Sequence, residues 1–79
     1  MEIRYVVEVT EGKEIFPRFL SEETINSFFD AKSIVQKAEN LGHNWLMIKE
    51  QFSEIYRKWH PVVSWDSFTH NPADVIESL

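Results

Sequence analysis

The stretch Ser27–Gly42 constrains the fold more than any other, because it has the pattern of one amphipathic helix with both ends marked. Its apolar side chains recur at helical spacing and share one face: Phe28, Ala31, Ile34, Val35, Ala38 and Leu41. Ser27 can cap the first turn, and Asp30 stands where the acid of a capping box would reach back to it. Gly42 supplies the left-handed residue that commonly ends a helix. The sequence therefore predicts a central helix that serves as a scaffold and carries no chemistry.

The N-terminal residues predict a β-hairpin over residues 2–20. Residues 2–10 alternate between apolar and polar side chains and are rich in β-branched types, which is typical of a half-buried strand. Glu11 and Gly12 then suit a short turn, and Lys13–Leu20 returns as the second strand. Pro17 has no N–H to donate, so this second strand is expected at a sheet edge or with a bulge.

The stretch Asn44–Trp59 admits two interpretations, of which the sequence favours a helix. Large apolar residues recur at intervals of three and four: Trp45, Ile48, Phe52, Ile55 and Trp59. Asn44 suits the N-cap of such a helix. The alternative is a buried strand at Trp45–Ile48 with a return strand at Ile55–Trp59. That hairpin needs a turn at Gln51–Glu54, where no Gly, Pro, Asn or Asp is present.

Together these elements predict one small α+β domain over residues 1–79, in which an N-terminal β-hairpin packs on two antiparallel helices. Asn71, Pro72 and Asp74 have the order of an N-cap, a proline at the first helical position and an acid in the first turn. A short C-terminal helix is therefore expected over Pro72–Leu79, and helix should exceed strand overall. The alternative is a ββαββ sheet with the Ser27–Leu41 helix across one face.

The charge balance and the lack of cysteine narrow the class of partner. Thirteen acidic residues face eight basic ones, for a net charge of −5, and both signs are spread along the chain. Binding to a phosphate backbone needs a clustered cationic surface, so direct contact with nucleic acid is not expected. Without cysteine, neither disulfides nor thiolate metal sites can form.

With no secretory signal and no apolar run of membrane-spanning length, we expect no membrane contact and a cytoplasmic location, in a bacterium or an infected host.

No pattern of residues indicates catalysis or a cofactor. His43, His60 and His70, with Asp66 between the last two, are spaced unlike the helix and loop patterns that carry metal ligands. No serine lies in the context of a nucleophile elbow, and two glycines are too few for a phosphate-binding loop. We therefore expect a protein that is not an enzyme and that needs no metal or other cofactor.

The aromatic residues of the C-terminal half indicate protein binding. Trp, Tyr and Arg are enriched at binding hot spots, and the predicted partner-binding surface consists of Tyr56, Arg57, Trp65 and Phe68, with Trp59 beneath it as core. The expected function is that of a small acidic, non-catalytic module that binds another protein. By compositional analogy with phage and mobile-element accessory proteins, it would modulate or inhibit a larger host complex.

Two other functions stay open at this point. An acidic mimic of nucleic acid would block a DNA- or RNA-binding site on its target, and its affinity would fall steeply as salt rises. A structural subunit would instead self-associate into a homo-oligomer, through an unpaired edge of the hairpin or through the aromatic cluster.

Overall fold

The computed structural model describes residues 2–12 and 18–77, and these form a four-stranded antiparallel sheet with one α-helix across one face. The elements in chain order are β1 (Ile3–Glu11), β2 (Arg18–Ile25), α1 (Phe28–Asn40), β3 (Asn44–Ser53), β4 (Lys58–Asp66) and a one-turn 3-10 helix (Pro72–Asp74). The strand order in the sheet is β2-β1-β3-β4. The two central strands, β1 and β3, are therefore joined through the edge strand β2 and the helix.

The predicted second helix is wrong, and with it the arrangement of a hairpin on two antiparallel helices. Asn44–Ser53 and Lys58–Asp66 are paired strands, so the described chain contains more strand than helix, and the element order is that of the ββαββ alternative. Asn44 caps no helix, and its buried side chain donates a hydrogen bond to the carbonyl of Gly12. Non-local pairing of β3 with β1, about 40 residues earlier, outweighs the local helical spacing.

The turn between β3 and β4 explains how the hairpin forms without the usual turn residues. It lies at residues 54–57, later than Gln51–Glu54, and it also lacks Gly, Pro, Asn and Asp. Arg57 adopts the left-handed backbone conformation itself, at φ 51°. The Ser53 hydroxyl accepts a hydrogen bond from the backbone N–H of Tyr56, at 3.3 Å, which closes the start of the turn.

The N-terminal hairpin and the central helix are confirmed, with different bounds for the second strand. β2 is an edge strand paired with β1, and it extends to Ile25 rather than ending at Leu20, while residues 13–17, including Pro17, lie outside the described residues. Helix α1 begins after Ser27, whose hydroxyl accepts from the backbone N–H of Asp30, and Gly42 follows its end with φ 72°.

The predicted C-terminal helix is wrong beyond its first turn. Pro72–Asp74 form a single 3-10 turn, and residues 75–77 are not helical, so the prediction fails at Val75, which turns inward and is fully buried. Burial of an apolar side chain from this segment outweighs the weak propensity of a short helix. Residues 78–79 of the predicted helix lie outside the described residues.

The core lies between the sheet and α1. Alternate residues of the strands face the helix, where they meet one side of it; the buried set is Tyr5, Val7, Val9, Ala31, Val35, Ala38, Trp45, Met47, Trp65 and Val75. Tyr5 also packs edge-on against Phe28, with ring centroids 5.6 Å apart. The other side of the sheet, here called the open face, has no described element packed on it.

Candidate protein-contact site at the β3–β4 hairpin

The hairpin tip, residues 54–57, presents large apolar side chains to solvent. Ile55 is 88% exposed and Tyr56 is 72% exposed, at consecutive positions. Turns are usually built from small and polar residues, because apolar side chains gain nothing from projecting into water. Two such side chains side by side at the end of a hairpin bury little area within the described chain, so the tip is a candidate contact surface.

Arg57 completes the tip, in a backbone conformation that is uncommon for its residue type. A φ of 51° places it in the left-handed region, which costs an L-residue other than glycine about 1–2 kcal/mol. Glycine would relieve that strain, and arginine stands there instead. A strained residue with an exposed guanidinium is a common feature of functional surfaces.

Four side chains on the open face form a compact base under the tip. Phe52 and Trp59 pair across β3 and β4 as an edge-to-face stack, with centroids 5.4 Å apart. The Arg4 guanidinium lies 4.2 Å from the centroid of a Trp59 ring, and its Nε donates to Oε1 of Glu50 at 2.8 Å. Because Arg4 and Glu50 are only partly exposed, this pair is screened less than a surface ion pair. The base holds the ends of β3 and β4 in one geometry.

The predicted site residues divide between three places. Tyr56 and Arg57 lie together and exposed at the hairpin tip rather than on a helix. Trp65 does not belong to that surface, because it is only 8% exposed and packs in the core against α1. Phe68 is 74% exposed but follows the far end of β4, and nine strand residues at about 3.3 Å each separate it from the tip by roughly 30 Å.

Two expectations about the surroundings of the site also change. Trp59, predicted as core beneath Tyr56 and Arg57, is half-buried on the open face instead. Ile55, assigned to the apolar stripe of a helix, is the most exposed large apolar residue of the described chain and was missed as a site residue. Its signal in the sequence was its position beside Tyr56, directly after the turn of the alternative hairpin.

Asp66 and His70 are neighbours in the turn after β4, where the backbone N–H of His70 donates to the carbonyl of Asp66 at 2.9 Å. In residues 2–12 and 18–77, no three His, Asp or Glu side chains are arranged to hold a metal ion. Asp66 has a structural role: its Oδ1 accepts hydrogen bonds from the backbone N–H groups of Phe68 and Thr69, at 2.9 and 3.0 Å, and from the Thr69 hydroxyl at 3.1 Å. These bonds shape the turn after β4.

Helix α1, with 13 residues, is shorter than a membrane span requires, and no other helix of the described residues is long and apolar enough.

Comparison of the chain with family models, with curated proteins and with solved structures gave no match. The fold and the site thus define a two-layer domain, an antiparallel sheet with one helix, in which a hairpin tip exposes two consecutive large side chains, Ile55 and Tyr56.

Proposed function

We propose that this protein is a non-catalytic protein-binding module that contacts its partner through the hairpin tip. The observation that carries the proposal is the exposure of Ile55 and Tyr56, at 88% and 72%, directly before the strained Arg57. Aromatic and arginine side chains dominate binding hot spots because they offer large contact areas and several directed hydrogen bonds. Each of these side chains is available to a partner without rearrangement of the core.

The base under the tip supports this role energetically. Association is opposed by the loss of conformational freedom in the surface that becomes ordered. The Phe52–Trp59 stack and the Arg4–Glu50 pair hold the strands that carry the tip, and the Ser53 hydroxyl fixes the backbone of Tyr56. A tip that is already held in one conformation loses less entropy on binding. The surface around it has a shallow concavity of about 330 Å³ lined by Phe52, Glu54 and Arg57, into which a partner side chain fits.

The two alternative functions have less support. Edge-to-edge self-association is opposed at β2 by the charges of Glu22 and Glu23 and at β4 by Pro61, which has no N–H to donate. A mimic of nucleic acid would need a dense acidic surface, whereas the open face combines its acids with apolar side chains, and Glu50 there is paired with Arg4. An inhibitory role and a phage origin rest on composition alone.

Affinity capture with matched variants tests the proposal. The wild-type protein and three variants, Tyr56→Ala, Arg57→Ala and Phe29→Ala, are immobilised and exposed to lysate of the source organism, and the retained proteins are identified by mass spectrometry. Phe29 is the control, because it is 80% exposed and belongs to α1 rather than to the β3–β4 hairpin. A protein held by the wild type and by Phe29→Ala, but lost with both tip variants, is the expected result.

Titration calorimetry with that protein then gives the magnitude. We expect Tyr56→Ala and Arg57→Ala each to cost about 1–2 kcal/mol of binding free energy, which is a loss of about 5- to 30-fold in affinity. The free energy of unfolding should change by under about 1 kcal/mol, because both side chains are exposed. Wild-type affinity in both tip variants would show that the interface lies elsewhere.

A further inference from the structure

The open face carries an apolar centre that no described element covers. Val6 of β1 lies opposite Ile48 of β3 in the middle of the sheet. Leu46, two residues before Ile48 in β3, lies on the same face. All three side chains are half-buried rather than buried, since α1 packs only on the other face. A sheet face of this composition is suited to contact with another apolar surface.

The charges of the strands are divided unequally between the two faces. By the strand register, the open face has four acids, Glu8, Glu22, Glu50 and Asp66, and one base, Arg4, which pairs with Glu50. By the same register, the side chains of the other three strand cations point to the helix side of the sheet: Arg18, Lys49 and Lys58. Within the described strands the open face is therefore acidic around its apolar centre.

Two of these acids lower the folding stability of the isolated domain. Glu8 and Glu22 are direct cross-strand partners, and like charges at such positions destabilise a sheet. None of the described cations forms an ion pair with either carboxylate. Asp66, by contrast, is accounted for by the turn that it shapes. A positively charged group bound over Glu8 and Glu22 would remove the repulsion between them.

A depression next to Glu8 gives this face a defined shape. It has a volume of about 300 Å³, and its lining includes Leu46 with Glu8, Asp66 and Phe68 around it. The Phe68 ring is 74% exposed. Apolar surface bordered by carboxylates and an aromatic ring matches the aliphatic stem and charged head of lysine or arginine.

We infer that the open face docks a basic amphipathic helix of another protein, with a lysine or arginine of that helix in the depression beside Glu8. A helix is favoured over an added strand because the main-chain groups of β1 and β3 are paired with neighbours on both sides, so a face can offer side chains only. A second copy of this face would repel the first, and so would nucleic acid or an anionic membrane, because all of these are negatively charged.

This inference does not depend on the hairpin tip. The depression adjoins the opposite end of β4 from residues 54–57, so variants of one surface leave the other intact. A failure of the tip variants to affect capture would leave the open-face test unchanged, and the reverse also holds.

Fluorescence anisotropy with a designed peptide tests the inference. The probe is a labelled 16-residue helical peptide of Leu, Ala and Arg, with leucines along one face and arginines flanking them; the comparison peptide has Glu in place of Arg. We expect saturable binding of the basic peptide, none of the acidic one, and an affinity that falls as salt rises. Absence of binding by the basic peptide at low salt would overturn the inference.

Matched variants locate the binding. The Glu8→Gln/Glu22→Gln double variant should weaken binding about fivefold, as expected for loss of two exposed charge pairs. Glu11→Gln/Glu23→Gln is the control, since it also removes two charges from β1 and β2, but on the other face. Phe68→Ala should also weaken binding, with the equally exposed Phe29→Ala as its control. Equal losses in the variants and their controls would mean that the peptide responds to net charge alone, and the inference would be wrong.

Two further measurements distinguish a loss of binding from a loss of folding. The double variant should have a melting temperature no lower than the wild type, because a like-charge pair has been removed. Amide NMR shifts on adding the basic peptide should concentrate at Val6, Leu46 and Ile48. Shifts confined to α1 would overturn the inference.

Discussion

Replacing Arg57 by glycine should stabilise the domain, because its backbone is left-handed at φ 51°. An L-residue in this region loses about 1–2 kcal/mol relative to its ordinary conformations. Glycine avoids that loss but makes the unfolded chain more flexible, which costs about 0.5–1 kcal/mol. The difference leaves a net gain of about 0.5–1 kcal/mol in the free energy of unfolding. In a domain of this size, that gain raises the melting temperature by about 2–8 °C.

The comparison with Arg57→Ala separates backbone strain from side-chain effects. Alanine removes the guanidinium but keeps a Cβ, so the strain persists, and the exposed side chain contributes little to stability. Thermal and urea unfolding of the three proteins should therefore place the glycine variant above the other two, which should nearly coincide. If glycine gives no increase over alanine, the left-handed conformation carries no strain, and the argument that Arg57 is retained for binding loses its basis.

Two further predictions concern the core. Met47 is fully buried, so Met47→Ala should lower the free energy of unfolding by about 2–5 kcal/mol, while the volume-conserving Met47→Leu should cost under about 1.5 kcal/mol; equal urea midpoints for both variants would contradict this packing. Burial raises the pKa of the Tyr5 hydroxyl, and the negative charge of the Glu77 carboxylate raises it further. Because the unfolded chain then loses this proton first, the stabilisation is fully present below about pH 10 and decreases as pH rises through the higher folded pKa. Urea unfolding between pH 9 and 11 should show that decrease in the wild type and a smaller one in Tyr5→Phe.

The parts of the fold that could be predicted from sequence are those specified by neighbouring residues. Ser27 caps α1 through a contact three residues away, and Gly42 ends it locally. Ala31, Val35 and Ala38 form the buried side of the helix at the spacing that identified it. β1 likewise shows its alternation within nine residues. In each case the residues that determine the structure and the residues that adopt it belong to the same short segment.

The β3–β4 hairpin could not be predicted in this way, because its structure depends on distant pairing. β3 is apolar on both sides: Trp45 and Met47 face α1, while Leu46 and Ile48 face the half-buried open face. Residues drawn from two faces of a strand can mimic the spacing of a helix, and Leu46 and Met47, which did not fit the helical stripe, were the residues that contradicted it. Both would have been explained by alternation in a strand paired with β1.

The exposure of Tyr56 and Arg57 was predicted from a helix that the structure does not contain. On the predicted helix Arg57 fell outside the buried stripe and Tyr56 at its edge, and in the hairpin both lie in the turn, so each arrangement leaves them accessible. The two arrangements differ at Ile55, which the helix buries and the turn leaves 88% exposed. Turn positions normally select glycine, proline, asparagine or aspartate for conformational reasons. When Ile, Tyr and Arg occupy such positions, and one of them bears backbone strain, the demands of the fold do not explain their presence, and we propose that a demand from a binding partner does.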